Sequence, residues 1–199
     1  MSKLSALRNA ADFFKHSLKS CDICPRNCRA DRAKGRLGYC RAPHSPAVYS
    51  YMTHRGEEPP ISGRLGSGTI FFSHCNMKCV YCQNYTFSQL DKGNEMSVEK
   101  LAETMLSMQG IGCHNINLVS PTHFVPQIVD SLVIASDRGL NIPIVYNTGG
   151  YEKLDTLKAL SGIVDIYMPD MRYSDNEMAK KYSDAPDYVD YNRPAIKEM

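Results

Sequence analysis

Beyond Gly68 the sequence repeats one unit four times: a short apolar run, a loop, then an amphipathic stretch. Parallel strands cannot be joined by tight turns, so this alternation specifies helices that cross over between strands of one parallel sheet, an α/β fold. The apolar runs place strands at residues 69–73, 115–119, 142–146 and 164–168, with helices near 97–109, 124–138, 151–160 and 174–182. Ser97 opens Ser-Val-Glu-Lys ahead of Leu101 and Met105, a helix start, and Gly139 follows Arg138 where a helix should stop. In such sheets chemistry collects at the carboxyl ends of the strands, where loops and helix N-termini converge. The unusual residues of this chain fall there: His74 to Cys82, Ser120 to His123, Asn147 to Gly150 and Pro169 to Arg172, four loops expected to face one cavity.

Upstream of Gly68 the pattern changes. Leu4, Leu7, Ala11, Phe14 and Leu18 recur at spacings of three and four, which is an amphipathic helix over 3–19. Residues 20–41 hold four cysteines among Arg, Gly and Pro without periodicity, so residues 1–41 read as a helix and a segment that metal must organise. Pro43, Pro46, Pro59, Pro60 and several glycines mark 42–68 as a linker, running against the domain as short strands such as Ala47 to Tyr51. The main domain is then 69–199.

With 199 residues, 43% of them hydrophobic, the chain can bury a real core. A net charge of +2 gives no field that argues for nucleic acid or acidic membranes. The start lacks the apolar run of a secretory signal, and no stretch reaches the ~18 apolar residues of a membrane span. A cytoplasmic, reduced compartment is expected, where the eight cysteines serve as metal ligands or inert thiols rather than disulfides. Seven sit in two tight groups. Cys113 stands alone and reads as a small buried hydrophobe. Met105, Met108, His16, His44 and His54 belong to no ligand-spaced group and read as packing or surface residues.

Cys75-Asn-Met-Lys-Cys79-Val-Tyr-Cys82 places three thiols within one loop. Iron–sulfur clusters are normally held by four thiolates. Three leave one iron open, which is what a cofactor needs in order to bind metal. A zinc site completed by His74, or unligated cysteines, is the competing reading. The spacing C-x3-C-x2-C, with the aromatic Tyr81 before the last cysteine, resembles the signature of the radical S-adenosylmethionine superfamily. That resemblance implies that Cys75, Cys79 and Cys82 hold a [4Fe-4S] cluster whose fourth iron is chelated by the amino and carboxylate groups of S-adenosylmethionine. One electron then cleaves the sulfonium to a 5′-deoxyadenosyl radical, and Tyr81 lies near the adenine. No catalytic residue beyond the cluster ligands is implied.

Further stretches narrow the resemblance: Cys-Asp-Ile-Cys-Pro-Arg-Asn-Cys at 21–28, Gly-Arg-Leu-Gly-Tyr-Cys at 35–40, Asn-Leu-Val-Ser-Pro-Thr-His at 117–123, Tyr-Asn-Thr-Gly-Gly-Tyr at 146–151 and Asp-Ile-Tyr-Met-Pro-Asp at 165–170. They are similar, over nearly the whole chain, to radical S-adenosylmethionine proteins named for their likeness to pyruvate formate-lyase activating enzymes. The resemblance implies a partial (β/α) barrel with about four of six βα units present and a Cys-rich N-terminal segment. It also implies hydrogen abstraction, with a glycyl-radical enzyme as protein substrate and an electron donor such as flavodoxin or ferredoxin.

Where many family members carry Gly-Gly-Glu to hold the cofactor's amino group, this chain has Ser120-Pro121-Thr122-His123; Thr122 and His123 either contact the cofactor or cap the next helix. Asn147, Gly149 and Gly150 stand where related activating enzymes contact the cofactor, or form a simple βα turn. Asp170 and Arg172 replace an Asp-x-Lys pair that touches the cofactor's ribose or carboxylate, and Arg keeps the charge but not the geometry of Lys; a surface salt bridge is the alternative. The sequence ends in what reads as a helix, about two units short of the family's barrel, so an exposed sheet edge is expected. The alternatives to an active enzyme are a catalytically impaired metal-binding fragment and a structural zinc protein.

Cys21-x2-Cys24-x3-Cys28-x11-Cys40 supplies four soft ligands that can close a tetrahedral shell around zinc or an iron–sulfur cluster, and spacing does not separate the two. Inert or redox cysteines are the alternative. Arg26, Arg29, Arg32, Lys34, Arg36 and Arg41 make the segment basic. Salt screening and the lack of interleaved aromatics favour a solvated face over a docking site for an acidic partner or nucleic acid. Neither membrane nor nucleic acid is expected as a partner.

Overall fold

A computed structural model describes residues 2–199. Helix α1 (Lys3–Phe14) starts at Ser2, whose hydroxyl accepts from the Ser5 N–H at 3.3 Å, and buries Leu7, Ala10 and Phe14. It ends earlier than the expected residue 19. After Phe14 the backbone tightens into i→i+3 turns, Ser17 N to Phe14 O at 2.9 Å and Lys19 N to His16 O at 3.0 Å. Those turns still let Leu18 pack on the core without a helix beneath it. Residues 20–41 are irregular apart from one 3-10 turn, Arg32–Lys34.

Residues 42–68, expected as a linker with short strands such as Ala47 to Tyr51, supply a full strand of the main sheet. β1 (Ala47–His54) runs antiparallel to β2 (Ser67–Phe72), with a bulge between Val48 and Ser50, and the short helix α2 (Pro59–Ser62) connects them. After the one-turn helix α3 (Tyr85–Ser88), β3 (Asn94–Glu95) pairs with Ala47 and Val48 and covers part of the outer edge of β1.

The expected alternation then follows: α4 (Val98–Gly110), β4 (Ile116–Val119), α5 (Val125–Asp137), β5 (Ile144–Thr148), α6 (Leu154–Ala159), β6 (Ile166–Pro169), α7 (Asn176–Ser183) and α8 (Tyr188–Glu198). The sheet has the order β3-β1-β2-β4-β5-β6, with β2, β4, β5 and β6 parallel. Ser97 caps α4 by accepting from the Lys100 N–H at 3.1 Å. Gly139 takes φ +96° just after α5, as its C-terminal position requires.

β4 is buried throughout, whereas β6 is an edge strand with Ile166 exposed. Phe72, Leu101, Met105, Leu118, Phe124, Ile128 and Leu132 fill the main core between sheet and helices, and α1 packs on α5. Met105, Met108 and Cys113 are buried in it, as packing residues should be. No helix among the described residues is long and apolar enough to cross a membrane.

Candidate active site at the carboxyl edge of the sheet

β2 ends abruptly. His74 adopts a left-handed φ of +69°, unusual for a residue with a Cβ, and this reversal starts the three-cysteine loop. Its N–H is held by Phe87 O at 2.8 Å, and its Nδ1 lies 3.1 Å from Asp91 Oδ1. Lys78 N donates to Ser183 O at 3.0 Å and Val80 N to Tyr182 O at 2.9 Å, so the C-terminal end of α7 pins the middle of the loop. Asn76 Nδ2 donates to Tyr151 O at 2.8 Å and ties the loop to the one that follows β5.

Each thiol has a polar neighbour. Cys79, 5% exposed, accepts from Ser183 Oγ at 2.9 Å and from Arg172 Nη1 at 3.4 Å. Cys75 Sγ accepts from Met77 N at 3.4 Å, and Cys82 Sγ lies 3.3 Å from Ser88 Oγ. Burial pushes the Cys75 thiol up to about 12; the Met77 N–H pulls the other way, and Cys79 and Cys82 add to the rise. Three neighbouring thiols, each with a donor or hydroxyl beside its sulfur, fit a cationic centre that replaces their protons. Among the described residues no three His, Cys, Asp or Glu side chains form a single-ion site. A cluster, which offers separate irons to separate thiolates, does not require that convergence.

The neighbouring loops close on this one unevenly. A cavity of about 370 Å³ is lined by Tyr81, Cys82, Gln83, Asn84, Asp170 and Arg172. Arg172 donates from Nε to Asp170 Oδ2 at 3.0 Å while its other arm reaches Cys79. Burial works against its charge, but Asp170 and Cys79 outweigh that and keep the guanidinium protonated. The Tyr81 hydroxyl bonds to that of Tyr173. Gly149 adjoins the group, a Cβ there falling 3.4 Å from Met77 Sδ and 3.7 Å from Arg172 Nε. Asn147 is half-buried and pairs across β4 and β6 with Val119 and Met168.

Gly150 has a packing reason of its own. Its φ is +74°, and a Cβ there would overlap Asn192 Nδ2 and the carbonyl oxygen of Asp170. α8 braces this approach: Asn192 Nδ2 donates to Gly150 O at 3.0 Å and Asp170 O at 2.9 Å. The Tyr188 hydroxyl sits 2.8 Å from Gly149 O and accepts from Arg172 N at 3.1 Å.

Thr122 and His123 are buried against protein partners and do not line the cavity beside Tyr81. His123 Nε2 donates to Ser73 O at 2.7 Å; burial lowers its pKa to about 3, so the ring is neutral. Thr122 donates to Glu152. Glu152, which sequence reasoning missed, is completely buried and accepts from the hydroxyls of Thr122, Thr148 and Tyr146, the last at 3.4 Å. Burial raises it to about 7, and the three hydroxyls oppose the rise. It ties together the loops that follow β4 and β5. Ser183 was also missed, because nothing near residue 183 signals a sulfur partner more than a hundred residues away.

The model of the Radical SAM superfamily matches residues 69–194, a span that contains the three-cysteine loop and all four parallel strands but β2's first two residues. The chain belongs to the Radical SAM superfamily. Membership implies a [4Fe-4S] cluster and S-adenosylmethionine, for which the three thiols and their donors are suited. Among curated proteins, this radical SAM chain is similar to the uncharacterised protein MJ0674 of Methanocaldococcus jannaschii, 30% identical over 181 residues, covering 88% of this chain and 52% of the relative. A second uncharacterised protein of that organism, MJ0808, is 27% identical over 158 residues, covering 70% and 46%. The chain spans about half the length of the curated relatives it matches.

The four-cysteine segment precedes the radical SAM match. Cys21 and Cys24 are buried, Cys40 is half-buried, Cys28 is exposed, and all four are free thiols. The basic residues around them divide. Arg29, Lys34 and Arg36 are exposed, as a solvated face requires. Arg32 is 1% exposed and donates to Pro43 O and, at 2.6 Å, to His123 O. Arg41 pairs with Asp91 at 2.6 Å. Burial raises the thiol pKa of Cys21, Cys24 and Cys40.

Proposed function

We propose that this chain is a radical-generating enzyme of the pyruvate formate-lyase activating type. Cys75, Cys79 and Cys82 would hold a [4Fe-4S] cluster, and Tyr81, Asp170, Arg172, Gly149 and Asn147 would form the side on which S-adenosylmethionine binds. The observation that carries this reading is the meeting of the three-cysteine loop with Arg172 and Asp170 at one cavity. When bound, the cluster and S-adenosylmethionine supply a 5′-deoxyadenosyl radical for hydrogen abstraction.

The chain's own residues act by position. Arg172 holds Asp170 in place and presents positive charge to Cys79, which favours the added electron on a sulfur-ligated centre. Ser183 donates to the same sulfur. Asp170, fixed by the guanidinium, is an acceptor at the cavity wall for ribose hydroxyls or an ammonium. Thr122 and His123 act behind the wall, through Glu152 and Ser73.

The same reading gives a glycyl-radical enzyme as protein substrate, flavodoxin or ferredoxin as electron donor, a cytoplasmic setting, and an accessory metal on the four-cysteine segment. It rests on the similarity of residues 21–28, 35–40, 117–123, 146–151 and 165–170 to the activating proteins. Anaerobic reconstitution with iron and sulfide, then dithionite with S-adenosylmethionine, should yield 5′-deoxyadenosine. A fully loaded cluster that produces none, from this chain and from its longer relatives alike, would exclude the enzyme reading.

A further inference from the structure

We infer that Tyr173 is a positioning residue of this site. Its hydroxyl joins Tyr81, on the wall of the cavity, to Ser183 and through Ser183 to the sulfur of Cys79. One chain of hydrogen bonds thereby fixes the Tyr81 ring and tunes the metal ligand. The inference rests on the proposed function for what Cys79 binds.

The chain is continuous. Ser183 Oγ donates to Cys79 Sγ at 2.9 Å, the Tyr173 hydroxyl lies 2.6 Å from Ser183 Oγ, and the Tyr81 hydroxyl bonds to that of Tyr173. A thiolate on metal carries no proton, so its sulfur only accepts, and each hydroxyl behind it passes its proton forward. Ser183 then accepts from Tyr173, and Tyr173 from Tyr81. All three O–H dipoles point towards one sulfur, an arrangement in which each bond strengthens the next. Ser183 and Cys79 are buried, so little water competes at that end, while Tyr81 at the other end is half exposed. Among the described residues the Tyr81 hydroxyl bonds to no other group, so it is fixed only through Tyr173.

The fold holds Tyr173 where the chain needs it. Tyr173 follows Arg172 in the loop after β6, whereas Tyr81 and Cys79 belong to the loop after β2, three places away in the sheet. These are the two loops that line the cavity, with Tyr81 and Cys82 on one side and Asp170 and Arg172 on the other. The hydroxyl chain therefore ties across the cavity two loops that no strand pairing connects. The Tyr173 ring packs edge-on against Tyr188, with centroids 5.5 Å apart, beside a small apolar cluster that includes Met77 and Cys79. Tyr188 is itself immobile, completely buried and bonded through its hydroxyl to Gly149 O and Arg172 N. Ser183 is the last residue of α7, and its carbonyl also accepts from Lys78 N. Phenylalanine would fill the same space as Tyr173, so packing accounts for the ring and not for the oxygen.

The test uses the full chain with its three-cysteine cluster reconstituted anaerobically, and compares Tyr173→Phe, Ser183→Ala and the double variant. Two quantities are read: the ratio of reduced to oxidised cluster at a fixed potential, by electron paramagnetic resonance, and the dissociation constant of S-adenosylmethionine. Tyr173→Phe should lower the ratio about twofold, because a relayed hydroxyl strengthens the next bond by roughly 10–30%. It should also weaken S-adenosylmethionine binding about threefold by releasing Tyr81, the scale of one neutral hydrogen bond. Ser183→Ala should act more on the ratio than on binding, since Tyr81 keeps its bond to Tyr173. In the double variant the loss of the Tyr173 hydroxyl should no longer move the ratio, because the chain is already cut.

A ratio unmoved by Tyr173→Phe, or moved equally with and without Ser183, overturns the inference and makes Tyr173 a packing residue. Unchanged binding in Tyr173→Phe overturns the part that concerns Tyr81. If Tyr173→Phe gives no cooperative melt, Tyr81→Phe cuts the chain at its other end: a shift that vanishes in the Ser183→Ala background supports the chain, and one that persists overturns it. A parent chain that takes up no cluster overturns the proposed function and this inference together. A cluster that forms and ignores Tyr173 overturns the inference alone.

Discussion

The two cysteine-rich regions present the same kind of side chain on opposite kinds of scaffold. The three-cysteine loop springs from a buried strand and is pinned by backbone hydrogen bonds to α7 and a side-chain bond to the loop after β5. The four-cysteine segment has no strand and is held by turn-like backbone bonds such as Arg29 N to Cys21 O at 2.8 Å, and by bonds from Arg26, Arg32 and Thr156 to distant carbonyls. A ligand loop on a strand end inherits its shape from the sheet. A ligand loop on irregular backbone depends on what it binds.

If that contrast holds, losing a thiol should act on chemistry in the first region and on stability in the second. Cys79→Ala should reduce 5′-deoxyadenosine formation to background while leaving the melting temperature of the unloaded chain within a few degrees. Cys24→Ser should lower the melting temperature of the metal-loaded chain substantially, on the order of 10 °C for a lost structural metal. Equal thermal effects of the two changes would break the comparison.

Glu152 sharpens it, because it stabilises the loops of the first region from beneath. Glu152→Ala, which strands three buried hydroxyls, should cost about 3 kcal/mol by denaturant unfolding. Its pKa rises from 4.5 unfolded to about 7 folded, so between those values the native state binds more protons than the unfolded. Stability is then greatest below pH 4.5 as far as this group is concerned, and falls as pH climbs to about 7, by roughly 3 kcal/mol in total. Glu152→Gln should flatten that slope, and unfolding curves across the window check it.

Smaller effects separate the donors on Cys79. Arg172→Ala should weaken cluster retention or activity by roughly 10- to 100-fold, the usual cost of losing a partner of a metal ligand. Ser183→Ala, which removes one neutral donor, should lower the potential of the reduced cluster by only some tens of millivolts, roughly, in a redox titration.

Much of this was legible in the sequence where one periodicity ran uninterrupted. The four expected strands and four expected helices of the parallel sheet fall within a few residues of their bounds, since alternation and the Ser97 and Gly139 signals act locally, whereas α3 and β3 carry no such pattern. A short strand at Ala47 to Tyr51 is legible inside the proline- and glycine-rich 42–68, but its length to His54 and its place in the main sheet come from pairing with β2, which no local pattern records. The cysteines stand out in the sequence by their spacing. Their supports do not: Ser183, Glu152, Tyr188 and Asn192 act across distances that no local pattern records. Arg32 misled for the same reason. A charge run looks solvated until the fold turns one member inward onto the carbonyls of Pro43 and His123.

Gly149 and Gly150 read as one motif, yet they answer to different pressures. Gly149 leaves room for a methyl group at ordinary contact distance from Met77, so alanine should pass there in a saturation library. Gly150 leaves none, in a conformation that side chains avoid, and faces backbone and a braced asparagine that cannot give way. Across diverging sequences the first glycine can drift and the second cannot, so the durable mark of this loop is a single residue.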